Sequence, residues 1–175
     1  MNSLIFRKAK LEDVVKVKEV YNYAYNHMIE EGNINQWSDY VSFEKGVINY
    51  INNDCFYVVI EENEIVGFFA LIYGIDITYN DIRNGKWVNN NEYVTIHKIA
   101  VKYYQRKLAS KILSYIIDKV KKEKINNIRI DTHKDNISMQ TFLNKNGFVH
   151  CGEISITCDF NDLSSLREAF IKVIE

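Results

Sequence analysis

The chain predicts a mixed α/β fold, an open sheet covered by helices on both faces, and three observations carry that expectation. Two β-rich runs in "CFYVVIEENEIVGFFALIYG" (55–74) flank the polar turn at Glu61–Glu64 and read as a hairpin. From residue 92 to 156 the pattern alternates strand, helix, strand, helix, strand, which requires right-handed crossovers and some parallel pairing. From Leu108 onward Leu108, Ile112, Leu113, Ile116, Ile117 and Val120 form one helical stripe, with Lys111, Lys119 and Lys122 off it. One domain over residues 1–175 accommodates these elements, and the chain is long enough to bury a sizeable core.

The elements follow in order. "SLIFRKA" (3–9) alternates as a strand. "LEDVVKVKEVYNYAYNHMIEEG" places apolar residues at helical spacing from Leu11, with Glu12 and Asp13 in the first turn and Gly32 as a stop. "INQWSDYVSFEKGVINYINN" gives a polar loop and a shorter helix capped by Ser42. After the hairpin, residues 74–91 are polar and turn-rich, an excursion from the sheet. "EYVTIHKIAV" (92–101) is apolar on both faces near its end, which marks a central strand. "NNIRIDTH" is a short strand. "NISMQTFLNKNGF" is a helix with Asn136 as N-cap and Asn146-Gly147 as its end. "FVHCGEISI" is a further strand, and "LREAFIKVIE" fits helix or strand by period alone.

Composition narrows the function. The sequence holds 22 Lys+Arg against 23 Asp+Glu, a net charge of −1, so no global field recommends nucleic acid or a membrane surface as partner. Cys55, Cys151 and Cys158 lack metal-ligand spacing and fit reduced thiols, so no metal is expected. No apolar stretch approaches the roughly 20 residues of a membrane helix, and no signal peptide opens the chain. A cytoplasmic location is therefore expected.

Local charge is more informative. The strand ending "HKIAV" runs through Lys102, Tyr103, Tyr104, Gln105, Arg106 and Lys107 into the helix at Leu108. Cations at a helix N-terminus are unfavourable unless something anionic docks there. In open α/β sheets ligands sit beyond the carboxyl ends of strands, at helix N-termini. A diphosphate held by loop N–H groups and two cations fits this stretch.

"IHKIAVKYYQRKLASKIL" resembles the acetyl-CoA-binding motif of the GNAT superfamily of N-acetyltransferases, which usually reads Gln/Arg-x-x-Gly-x-Gly/Ala. "IRIDTHKDNISMQTFLNKNGFVHCGEI" is similar to that family's closing strand, Asn-led helix, Gly-Phe and last strands. "INQW", "FYVVIEENEIVGFFAL" and the segment from "GKW" to "EYVTIHKIAV" resemble a bacterial subgroup, so the likeness covers nearly the whole chain. One feature departs from the pattern. The central glycine is missing, and a one-residue deletion after Lys107 best matches Leu108-Ala109-Ser110-Lys111 to the motif.

The resemblance implies a mixed, mostly antiparallel sheet of about six or seven strands, splayed at a central parallel pair, with acetyl-CoA as co-substrate in the opening. It implies that Ile99, Ala100 and Val101 meet the pantetheine arm, with the Ile99 N–H polarising the thioester carbonyl. Gln105, Arg106, Lys107, Leu108, Ala109 and Ser110 would hold the pyrophosphate, and Asn136 would bond the pantetheine. The implied reaction is direct attack of a small-molecule or peptide amine on the thioester, and dimers are common in the family. His97, two residues before Ile99, is the candidate base, with Glu92 or a water relay as alternatives. Thr95 stands where other members carry Glu. Leu143 stands where they carry an acid tyrosine, for which Tyr93, Tyr103 or Tyr104 would substitute, or the thiolate would leave unassisted. Tyr25, Trp37 and Trp87 are candidate acceptor contacts, with core packing as the competing reading. His133 is expected to bond the turn that follows it. A non-catalytic acyl-CoA-binding sensor is the alternative function.

Overall fold

The structure is a computed structural model that describes residues 3–37, 40–103 and 107–175. Its seven strands follow the order β1-β2-β3-β4-β5-β7-β6, which corresponds to the open mixed sheet expected. The chain divides into two compact units: Met1–Ile72 with Ile96–Asp118, and Tyr73–Thr95 with Lys119–Glu175.

In the first unit β1 (Ile5–Lys8) pairs antiparallel with β2 (Phe56–Glu61), and β2 pairs antiparallel with β3 (Glu64–Tyr73). The β2–β3 turn is Glu62-Asn63, with φ of 50° and 68°. Two left-handed residues match the twist of a two-residue hairpin. A short 3-10 turn at Leu11–Asp13 leads into α1 (Val14–Glu30). Gly32, at φ 81°, ends α1, and the Asn33 N–H returns to the Met28 carbonyl at 2.8 Å. That bond satisfies a carbonyl left over at the helix end. Helix α2 spans Tyr40–Asn52. Ser42 therefore lies inside its first turn and is not its cap, because Tyr40 and Val41 are already helical.

Period-two alternation covers both faces of these strands. Phe56, Val58, Phe68 and Ala70 pack with Val17, Val20, Tyr21 and Ala24 of α1 and Phe43 and Val47 of α2. On the opposite face Tyr57 stacks on Phe69 at 5.0 Å. There Tyr115 of α3 (Leu108–Lys122) lies 4.2 Å from Phe6 and 6.2 Å from Phe69. A Cβ on Gly67 would stand 3.1 Å from the Ala100 carbonyl oxygen and 3.2 Å from Ile112 Cδ1. Glycine thus sets how closely α3 approaches β3. The α3 stripe is as read from sequence, with Leu108, Ile112, Leu113, Ile116 and Val120 buried.

In the second unit β7 (Leu166–Val173) lies between β5 (Asn127–Thr132) and β6 (Val149–Ser155), antiparallel to both. The ambiguous tail is therefore a strand. Asn136 caps α4 (Ile137–Lys145) by accepting from the Met139 N–H at 3.1 Å, and Gly147 at φ 76° follows its end. The 74–93 excursion contains a 3-10 turn at Ile77–Tyr79 and bridges β6 through Arg83 and Glu153. His133 Nδ1 accepts from the Asp135 N–H at 3.2 Å, so it bonds the following turn as expected. All three cysteines are free. Among the described residues no helix is long and apolar enough to cross a membrane.

Candidate active site at the end of β4

Strand β4 spans Val94–Val101 and contains one left-handed residue, Lys98, at φ 47°. A left-handed, non-glycine residue inside a strand acts as a bulge and re-aims the backbone on either side. Lys98 therefore interrupts regular alternation between His97 and Ile99. Both residues are half-buried, while Ala100 and Val101 are buried. The Lys98 ammonium lies 5.1 Å from the centre of the Phe43 ring.

Beyond β4, the Lys102 N–H donates to the Val66 carbonyl at 2.8 Å and its ammonium pairs with Glu19 at 3.2 Å. Tyr103 turns left-handed at φ 59°, and its ring sits 5.9 Å from that of Tyr23. Gln105 and Arg106, like Tyr104, lie outside the described residues. Lys107 is exposed and left-handed at φ 54°. It adopts the backbone geometry for which glycine is normally chosen, at a cost of about 1–2 kcal/mol for a side-chain-bearing residue.

The Lys107 carbonyl accepts the Lys111 N–H at 3.2 Å, which starts the α3 ladder. The N–H groups of Leu108, Ala109 and Ser110 thus precede the first intrahelical bond, as at any helix start. Leu108 is buried and anchors the turn, while Ser110 is exposed. This end of the first unit offers backbone donors, the positive pole of a helix and an exposed lysine in one place.

Two predicted site residues belong to the second unit. Glu92 is exposed, and its carbonyl accepts from Asn127 Nδ2 at 3.0 Å. Asn136 is buried as the α4 cap. The three acceptor candidates fall into two clusters. In the first unit Tyr25 and Trp37 stack on Tyr21 at 5.5 and 5.2 Å, and Trp37 also lies 5.4 Å from Phe43. Tyr40 joins them edge-on to Tyr21, and burial beside Glu44 pushes its phenol up to about 12. Trp87 of the second unit stacks on Tyr79 at 5.6 Å and donates through Nε1 to the Tyr79 carbonyl at 2.9 Å.

Sequence reasoning missed Arg129 and the left-handed Lys98. Arg129 is buried on β5, its Cζ 4.0 Å from the Trp87 ring centre and 3.9 Å from that of Tyr93. A signal for it existed: "NIRIDT" alternates polar with apolar in a strand that is buried along most of its length. Nothing local announces Lys98.

An open mixed sheet in which β4 precedes the long α3 is the fold shared with solved acetyltransferases. The chain belongs to the acetyltransferase (GNAT) family, whose model matches residues 20–148. GNAT acetyltransferases use acetyl-CoA as co-substrate. No curated protein matches the chain in sequence. Among solved structures it is similar to a GNAT-family acetyltransferase from Streptococcus agalactiae, at 28% identity and a TM-score of 0.84, over 98% of this chain and 96% of that one. The fold is also similar to the PaiA N-acetyltransferase of Thermoplasma acidophilum, solved with coenzyme A, at 19% identity and a TM-score of 0.65, over 98% and 99% of the two chains. A third is the ribosomal-protein-S18-alanine N-acetyltransferase of Escherichia coli, at 14% identity and 0.65, over 99% and 95%.

Proposed function

We propose that this protein moves the acetyl group of acetyl-CoA to a primary amine of a small molecule or peptide by direct attack. The amine nitrogen bonds to the thioester carbonyl carbon, the C–S bond breaks, and the proton lost by nitrogen passes through a base to solvent while the thiolate departs. The observation that carries this reading is the left-handed Lys98 directly before Ile99 in β4. A bulge there supports freeing the Ile99 N–H to receive the negative charge that builds on the carbonyl oxygen. His97 is the proposed base, with Glu92 as the alternative. Arg106, Lys107 and the first-turn amides of Leu108, Ala109 and Ser110 are the proposed diphosphate seat, with Gln105 beside it. Ala100, Val101 and Asn136 are proposed to line the pantetheine. Tyr25 and Trp37 are the proposed aromatic side of the acceptor site.

A second reading, an acyl-CoA sensor without turnover, is favoured by Leu143. That residue is buried at the position where the family resemblance expects an acid tyrosine. Acetyl-CoA is expected to raise the melting temperature through linkage, and Arg106→Glu to abolish the shift. Absence of a shift at millimolar acetyl-CoA sinks both readings. Thiol release with a panel of amines separates enzyme from sensor.

A further inference from the structure

One face of β5 is polar where a buried strand would be apolar. Asn127 Nδ2 donates to the Glu92 carbonyl at 3.0 Å, Arg129 Nη2 to the Asn89 carbonyl at 3.1 Å, and Asp131 accepts from Tyr79 at 2.6 Å. Asn127 and Asp131 find side-chain partners in Asn89 and Tyr79. Arg129 does not. It is 4% exposed, no carboxylate among the described residues pairs with it, and its Nε has no acceptor. Thr95 lies at the start of β4, two residues after the Tyr93 whose ring lies against Arg129. It is 0% exposed, and its Oγ1 is also without a partner.

Buried polar atoms are satisfied in the great majority of cases, so these two require a cause. Burial pulls the Arg129 guanidinium below its ordinary range, whereas Arg7, bonded to Asp13, is raised. Arg129 is thus a buried cation with no carboxylate against it among the described residues.

We propose that Arg129 and Thr95 form the seat for a carboxylate carried by the acceptor, making the substrates small amines that bear a carboxyl group. A guanidinium Nε–H can donate to one carboxylate oxygen beside an Nη–H on the other, and the threonine hydroxyl adds a further donor. The rings of Trp87 and Tyr93 keep water from this seat and strengthen the pairing. Trp87, half-buried between exposed Lys86 and Val88, is the side chain that moves to admit the ligand. The identity of the carrier rests on the acetyl-transfer reading; the carboxylate seat is tested apart from it.

The test is calorimetric titration of the protein saturated with acetyl-CoA, using the amino acids, β-alanine and γ-aminobutyrate, their carboxamides, and acetate alone. At least one carboxylated amine is expected to bind about 100-fold more tightly than its carboxamide. Thr95→Val is expected to weaken that ligand about tenfold while raising the melting temperature, since it removes an unbonded buried hydroxyl. Arg129→Gln is expected to erase the preference; should it not fold, Thr95→Val and the wild-type panel still decide. Equal affinity for carboxylates and carboxamides, or unchanged affinity in Thr95→Val, overturns the proposal. Acetate binding as tightly as every carboxylated amine overturns the substrate class. Loss of the acetyl-CoA melting shift in the same preparation counts against the transferase reading instead.

Discussion

The Lys98 ammonium stands 5.1 Å from the centre of the Phe43 ring, and the backbone beneath it is left-handed at φ 47°. The side chain thus spans from a bulged strand to α2 of the same unit. Lys98→Gly is expected to keep the fold, because glycine adopts this geometry without strain. Lys98→Val is expected to cost about 1–3 kcal/mol, since a β-branched residue resists positive φ. Urea denaturation of the pair checks this; equal stability would mean that β4 is regular.

Lys107 is left-handed at the mouth of α3, in the turn whose family motif carries a glycine. Lys107→Gly is expected to stabilise the protein by about 1 kcal/mol by relieving that geometry. If the first-turn amides hold the diphosphate, the same change alters acetyl-CoA affinity less than Arg106→Glu does. Thermal melts with and without acetyl-CoA read both effects.

Arg7 donates two hydrogen bonds to Asp13, at 2.7 and 2.8 Å, and holds its carboxyl below the ordinary carboxylate value. A folded value depressed below the unfolded one contributes stability above the unfolded value, and that contribution fades as pH falls through the folded value. Wild-type protein is therefore expected to lose more stability than Asp13→Asn between roughly pH 4 and pH 2. Parallel acid-titration curves would remove Asp13 as an acid-labile tie between β1 and the start of α1.

Tyr79 is fully buried and donates to Asp131 at 2.6 Å. Tyr79→Phe leaves the ring stack on Trp87 in place and removes this bond. The expected loss is about 1.5–3 kcal/mol, the range for hydrogen bonds to charged groups. Chemical denaturation measures it, and a loss below about 0.5 kcal/mol would mean that water replaces the phenol.

His97→Ala is expected to lower thiol release about 100-fold or more if His97 is the base. It should also flatten the rise of the rate with pH across the histidine range. Full activity of this variant from pH 6 to 9 would shift the role to Glu92 or water.

Much of the candidate site was legible because strand, turn and helix signals there are local. "HKIAV" leading to the stripe at Leu108 gave the strand end and the helix mouth. The Asn136 cap and the Gly147 stop were equally legible, since each acts on backbone groups within a few residues. Ser42 misled for the same reason: a good capping residue is not used when the helix begins two residues earlier. Trp87 and Trp37 could not be sorted by sequence, because both are aromatic residues in polar loops.

By itself the sequence determined a hairpin turning within Glu61–Glu64, the amphipathic α3 and the capped α4, all through contacts spanning a turn or two. Tertiary structure decided that the tail is β7 between β5 and β6, that Lys98 turns left-handed within β4, and that Arg129 is buried against Trp87 and Tyr93. The physical reason is range. A backbone hydrogen-bond partner across a sheet, or a counterion for a buried cation, comes from chain segments dozens of residues away, and no local period encodes which segment arrives.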